Sequence, residues 1–178
     1  MKDYGYSNYQ LFLSGNALAF ENIVKHYRNS LILFIQQYGM SYESAEDISQ
    51  EVFVKLYIKK PHYTPKASFK TWLYTIAKRE ALNYIKKQKP CFNPDDGYAM
   101  RMNFDYLSEM IDNQEKETLY RALSQINENY RKVLYLRYFD NLSTKEIASL
   151  LKCSPKKVSD MLYNGKLRLS SLLKTEVP

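Results

Sequence analysis

Ser143 and Glu146 stand three residues apart, the spacing of a capping box, in which each side chain takes a backbone N–H that a helix start leaves without a partner. A helix is expected from that point, with Ile147, Leu150 and Leu151 as its apolar stripe. Ser154 followed by Pro155 pairs an N-cap residue with the type best suited to the first helical position, so a second helix starts after a very short turn. Val158, Met161, Leu162, Gly165 and Leu169 share its inner face, which turns Lys156, Lys157, Ser159, Asp160, Tyr163 and Asn164 outward. Two short helices so arranged form a helix-turn-helix, whose second helix offers polar side chains to base edges in the major groove. The local pattern also fits an ordinary capped hairpin in a helical domain.

A second set of residues points to unpaired nucleic acid. Trp72, Thr75, Arg79, Asn83 and Lys86 fall on one helical stripe, flanked by Tyr74, Lys78 and Lys87. Aromatic rings can stack on exposed bases while lysines and arginines follow the phosphates. The bland alternative places Trp72 in the core and leaves the lysines to solvate an exposed face.

Charge distribution favours the nucleic-acid reading of both. Residues 1–54 carry net −3, 55–89 carry +9, 90–116 carry −4 and 117–178 carry +5, which gives the whole-chain value of +7. Two basic blocks separated by an acidic one suit a protein that meets a polyanion at two places. With 178 residues, 45% of them hydrophobic, the chain can bury one ordinary core or two small ones. No apolar run is long enough to span a bilayer, and Met1 to Gln10 lacks a signal-peptide core, so a cytoplasmic protein without membrane insertion is expected. Cys91 and Cys153 have no companion at metal-ligand spacing and are expected as free thiols; no cofactor or metal is expected. The two histidines, His26 in a core-type helix and His62 in a loop, have no clustered carboxylates or phosphate cradle beside them, so enzymatic chemistry is not expected.

The elements that must position these residues read as helices throughout. Asn16 caps a helix with Phe20, Ile23, Tyr27, Leu31, Phe34 and Tyr38 on its buried face, ended by Gly39. Ala45, Ile48, Val52 and Leu56 mark a second, whose polar face is acidic and which stops before Pro61. Lys59 to Ser68 holds two prolines and three lysines without helical period and reads as a loop. Ser68 caps a third helix running to about Lys89, with Phe69, Leu73, Ile76, Ala77 and Ile85 inward. Residues 91–116 read as an acidic linker. Leu119, Ala122, Leu123 and Ile126, then Val133, Leu134 and Leu136 to Phe139, lead into the helix-turn-helix. The expected architecture is all-α: a domain over 1–90, the linker, and a helix-turn-helix domain over 117–178. The tyrosine-rich start, Tyr4, Tyr6 and Tyr9, fits either a flexible leader or a packed cap.

Four strings in order carry a family likeness: Ala45 to Phe53 (AEDISQEVF), Phe69 to Ala77 (FKTWLYTIA), Tyr130 to Leu134 (YRKVL) and Leu142 to Ala148 (LSTKEIA). Together they resemble the extracytoplasmic-function group of bacterial RNA polymerase sigma factors, in the sigma-70 family, over roughly 16–90 and 117–173. The resemblance implies an alternative sigma factor that binds core RNA polymerase and directs promoter recognition, melting and transcription initiation. It places Asp47, Gln50 and Glu51 against the clamp helices of the polymerase largest subunit. It implies that the loop and third helix hold the melted minus-ten strand through Lys60, His62, Tyr63, Lys66, Ser68, Phe69, Lys70, Trp72 and Tyr74, with Arg79, Asn83, Lys86 and Lys87 on phosphates. Extruding a base costs a few kcal/mol, which a preformed pocket can offset.

The helix from Pro155 to Arg168 is implied to read the minus-thirty-five element through Ser154, Lys156, Lys157, Ser159, Asp160, Tyr163, Asn164, Lys166 and Arg168. The flap of the second-largest subunit and an anti-sigma factor are implied as further partners, alongside promoter DNA. This chain departs from the family in one respect, since Asp160, Met161, Tyr163 and Asn164 stand where serine and basic residues are usual. Arginine contacts to guanine are then scarce, and an A/T-rich minus-thirty-five element is expected. The competing reading is a stand-alone helix-turn-helix regulator, which would bind duplex DNA by itself but leaves the acidic second helix and the third helix without a role.

Overall fold

The computed structural model describes residues 3–88 and 114–176. Among them are eight helices and no strand, in keeping with the all-α expectation. The chain divides into two compact units, Met1–Ala99 and Met100–Pro178.

The N-terminal unit holds α1 (Tyr4–Leu13), α2 (Ala17–Gln36), α3 (Tyr42–Lys59) and α4 (Phe69–Gln88). Local chemistry sets their ends. The Asn16 side chain accepts from Ala19 N at 3.3 Å, and Ser41 and Ser68 accept from Ser44 N and Thr71 N at 3.2 and 3.3 Å. Gly39, at φ 76°, turns the chain between α2 and α3, while Lys60 takes the left-handed position after α3 at φ 41°. Helix α2 packs on α1, α3 and α4. Ile23, Leu31 and Phe34 of α2, Val52 and Leu56 of α3, and Leu73, Ala77 and Ala81 of α4 are buried between them. Each large aliphatic or aromatic side chain so buried contributes about 1.5–3 kcal/mol of transfer free energy. An Arg28–Glu46 ion pair ties α2 to α3, and Lys55–Glu80, at 2.6 Å, ties α3 to α4.

The tyrosine-rich start is the packed cap of the two expected alternatives. Asp3 accepts from Gly5 N and Tyr6 N at 3.0 and 3.2 Å and so starts α1. Tyr9 and Phe12 are then buried against the other helices.

The C-terminal unit holds α5 (Gln114–Gln125), α6 (Glu128–Tyr138), α7 (Thr144–Leu151) and α8 (Pro155–Glu176). Nearly all of the linker expected over 91–116, with Cys91, lies outside the described residues; its last three positions already belong to α5. Ala122, Leu123, Ile126, Val133, Leu134, Leu136, Ile147, Leu150 and Val158 are buried. The capping box is present: Ser143 N donates to Glu146 Oε2 at 2.9 Å and Glu146 N to Ser143 Oγ at 3.3 Å. Lys152, at φ 56°, takes the left-handed turn after α7, and Lys157 N donates to Ser154 Oγ at 3.2 Å to open α8. Gly165 lets α8 approach α6, because a Cβ there would sit 3.2 Å from Leu134 Cδ1. Helix α8 runs on past Arg168 to Glu176. Cys153 is a free, half-buried thiol.

Candidate polymerase and nucleic-acid interfaces

Helix α3 has one buried and one exposed face. Ala45, Ile48, Val52 and Leu56 point into the core, whereas Asp47, Gln50 and Glu51 are exposed. Spacings of three and four residues put these three on one stripe. Glu51 lies 3.4 Å from Lys55 Nζ and its side chain is 65% exposed, so the contact leaves it available to a cationic partner.

The C-terminal end of α3 and the middle of α4 wall an open cleft of about 610 Å³, lined by Lys59, Pro61, Trp72, Ile76, Arg79 and Asn83 and floored by Lys55 and Glu80. Burial alone would raise the Glu80 carboxyl, but hydrogen bonds from Lys55 and Arg79 outweigh it and hold the group below the usual carboxylate range. The Glu80 hydrogen bond correspondingly raises the Lys55 ammonium. The floor is therefore an ion pair, and the walls carry two further cations and one indole. That set suits phosphates with an unstacked base beside them. Lys55 and Lys59 were not singled out in the sequence; their spacing of four at the end of a helix that abuts a basic loop was the available signal.

Burial separates the expected minus-ten residues into two groups. Arg79, Asn83, Lys86 and Lys87 line the exposed face of α4, and Lys60, His62 and Lys66 are exposed in the loop. Trp72 is half-buried at the cleft and Lys70 lies over the Tyr74 ring at 5.4 Å. Tyr63, Phe69 and Tyr74 are core residues, and the expectation that they touch DNA is corrected. Phe69 and Tyr74 are wholly buried and Tyr63 is 6% exposed. Tyr74 stacks on Phe34 at 4.3 Å, Tyr63 and Phe69 lie 5.0 and 5.3 Å from Trp72, and the Tyr63 hydroxyl donates to Ala67 O. Ser68 is occupied as the cap of α4. These residues shape the wall from behind.

On α8 the outer face is made by Lys156, Asp160, Tyr163 and Leu167, with Lys157, Ser159 and Asn164 beside them, all exposed. Leu167, which the sequence pattern assigned to neither face, is 53% exposed. Ser154 is spent on capping, and Ser159 Oγ donates back to Pro155 O at 3.1 Å. Lys166 and Arg168 lie over the rings of Tyr138 and Tyr130 at 5.2 and 5.7 Å, which places them on the flank toward α6. Arg131 and Lys132 are buried, Arg131 donating to Ser124 O at 3.2 Å and Lys132 pairing with Glu128 at 2.9 Å. Burial pushes the Arg131 guanidinium below its usual range. The positive charge of this unit is thus only partly at the surface.

Comparison with known proteins agrees with both units. The family description Sigma-70 region 2 matches residues 23–91 and Sigma-70, region 4 matches 116–169. The chain is 26% identical over 171 residues to the ECF RNA polymerase sigma factor SigW of Bacillus subtilis, covering 90% of this chain and 91% of that one. It is 29% identical over 157 residues to the RNA polymerase sigma factor YlaC of the same organism, with 84% and 88% covered. Against the ECF RNA polymerase sigma-E factor of Escherichia coli K12 the figures are 26% over 163 residues and 85% of each chain. Among solved structures, CnrH in complex with the cytosolic domain of CnrY matches with TM-score 0.68 at 20% identity over 98% of this chain and 99% of that one. The sigma factor RpoE of Bartonella quintana, in complex with the anti-sigma factor NepR, matches with TM-score 0.62 at 19% identity over 88% and 98%. Two family regions in their own order, on two helical units of matching fold, leave one assignment: the chain belongs to the extracytoplasmic-function group of the sigma-70 family and is an alternative sigma factor that directs transcription initiation.

Proposed function

We propose that α3 docks on the clamp helices of core RNA polymerase through Asp47, Gln50 and Glu51, and that the cleft beside α4 holds the melted minus-ten strand. Arg79, Asn83, Lys86 and Lys87 follow its phosphates and Trp72 offers an indole edge to an unstacked base. The outer face of α8 enters the major groove of the minus-thirty-five element, with Lys156 and Lys157 on phosphates and Tyr163 and Asn164 at base edges. The C-terminal unit meets the flap of the second-largest subunit. The factor works in the bacterial cytoplasm as a binding protein rather than an enzyme, under an anti-sigma inhibitor. No described helix is long and apolar enough to cross a membrane.

The observation that carries the reading is charge segregation within the N-terminal unit: three exposed acidic or amide side chains on one stripe of α3, and Lys59 and Arg79 on the cleft beside its other end. A polyanion is repelled from the first surface and drawn to the second.

Gel filtration of the purified chain with core polymerase tests it, alongside the double variant Asp47→Lys, Glu51→Lys. Co-elution of the wild type, lost in the variant, is expected. A wild type that fails to co-elute yet binds duplex DNA tightly by itself sinks the polymerase reading in favour of a stand-alone regulator.

A further inference from the structure

Helix α1 lies before the segment matched to Sigma-70 region 2, yet it holds both ends of the loop between α3 and α4. The Tyr9 hydroxyl donates to Pro61 O at 2.7 Å, where the loop begins. Asp3 Oδ2 accepts from Phe69 N at 2.7 Å, where the loop ends. The other oxygen of the same carboxylate caps α1 itself, so one side chain starts two helices. Between these two ties the contacts are close. A Cβ on Gly5 would lie 2.3 Å from Phe69 Cδ1, a distance no structure tolerates. The Tyr9 ring sits 5.5 and 5.4 Å from Phe69 and Trp72, Tyr6 sits 5.4 Å from Tyr63, and Lys60 Nζ lies 5.0 Å over Phe12. Burial pushes the Tyr9 hydroxyl up to about 12, so it stays a protonated donor at working pH.

A surface loop with two prolines and no helical period is free to adopt many conformations unless other elements fix it. If it had to order only when it meets a strand, that ordering would be subtracted from binding, on top of the unstacking of the base. The two α1 ties remove the first of these costs in advance.

We propose that α1 is a strap that presets the loop and the Trp72 wall for strand capture, with Asp3 and Tyr9 as its positioning residues. Neither touches DNA. The proposal rests on the cleft being the melted-strand site.

The test uses holoenzyme assembled from the full chain and core polymerase, with a randomised pool of short single-stranded oligodeoxynucleotides and then the sequence the wild type selects from it. Tyr9→Phe removes one tie and keeps the ring. Asp3→Ala removes the other. Tyr9→Phe is expected to weaken retention of the selected strand roughly fivefold, the loss of one net hydrogen bond, and Asp3→Ala by as much or more. Tyr9→Phe should lower the thermal midpoint by no more than the loss of that one bond accounts for, while polymerase co-elution should stay at the wild-type value, a split that a merely structural residue does not produce.

Unchanged retention in Tyr9→Phe and Asp3→Ala, with a wild type that does select a strand, overturns the strap and leaves the melted-strand site standing. Retention that falls only together with co-elution also overturns it. A wild-type holoenzyme that retains no more single strand than core polymerase alone overturns the site and the strap together.

Discussion

The two surfaces proposed to meet DNA are held in different ways. In the N-terminal unit the wall of the cleft is backed by rings: Tyr9 and Tyr63 each lie 5.0–5.7 Å from Phe69 and Trp72, which are themselves 5.3 Å apart. The residues that give the loop its shape are the ones behind the site, so the wall cannot be changed without disturbing the fold. In the C-terminal unit, α8 separates the two tasks by helical phase. Val158 is wholly buried on its inner face, while Tyr163 and Leu167 are 66% and 53% exposed on its outer one. An element that reads from one side and packs with the other can change its readers at little cost to its fold.

The largest expected effect breaks the first surface and spares the second. Phe69→Ala empties a wholly buried aromatic site and should cost about 3–5 kcal/mol of stability, whereas Tyr163→Ala should stay within about 0.5 kcal/mol. Trp72, the single tryptophan, sits against Phe69 and reports the unfolding of this unit by fluorescence in urea, while far-ultraviolet circular dichroism follows the helices of the C-terminal unit as well. A Phe69→Ala midpoint indistinguishable from that of Tyr163→Ala would remove the contrast.

A smaller effect concerns the cleft floor and depends on pH. Glu80 is held below its ordinary value of 4.5 and Lys55 above its ordinary 10.5. A depressed carboxyl contributes stability above its ordinary pKa and loses it as pH falls through the folded value. A raised ammonium contributes below its ordinary pKa and loses it as pH climbs through the folded value. The pair therefore acts between these limits. Lys55 keeps 35% of its side chain exposed, and screening by solvent limits the contribution to about 1 kcal/mol. Glu80→Gln should lower the urea midpoint at pH 7, and the gap from wild type should narrow as pH falls below the ordinary value of 4.5 and close once pH passes the depressed folded value. A gap that does not narrow at all as the pH is lowered through the carboxylate range would show that the carboxylate's charge is not what matters there.

Most of the fold was legible in the sequence because helix starts announce themselves. Asn16, Ser68, Ser143 and Ser154 each cap the helix their position implied. Helix α1 was not legible as a helix, since tyrosine reads alike whether buried, as Tyr9 is, or 48% exposed, as Tyr4 is. The same ambiguity sent Tyr74 to the DNA surface, whereas Tyr63 and Phe69 were placed there by the family resemblance, although the helical period alone put Phe69 inward, where it is buried. An aromatic beside lysines looks the same whether its ring stacks on a base or on another ring. For Tyr74 a signal existed: Ala77 and Ala81 follow at three and seven residues, and two small buried side chains beneath a ring mark a packed face. The acidic stripe of α3 was easier, because charge and the phase of Val52 and Leu56 agree on which side faces out.

The smallest expected effect sharpens the contrast from the side of α8. Its outer face places Tyr163 and Leu167 four residues apart, both exposed, on a helix with no arginine on that face. Such groups have little to offer guanine, but an apolar side chain in the major groove can cover the 5-methyl group of thymine. On the proposed function, a minus-thirty-five element selected by the holoenzyme should be rich in thymine. Replacing one contacted thymine by uracil should weaken binding by about 0.8 kcal/mol, roughly fourfold. Leu167→Ala should bind both templates alike while unfolding as the wild type does. A wild type indifferent to the methyl would show that Leu167 does not read thymine. A Leu167→Ala variant less stable than wild type by more than about 0.5 kcal/mol would show that the outer face also packs, and the division of labour along α8 would be lost.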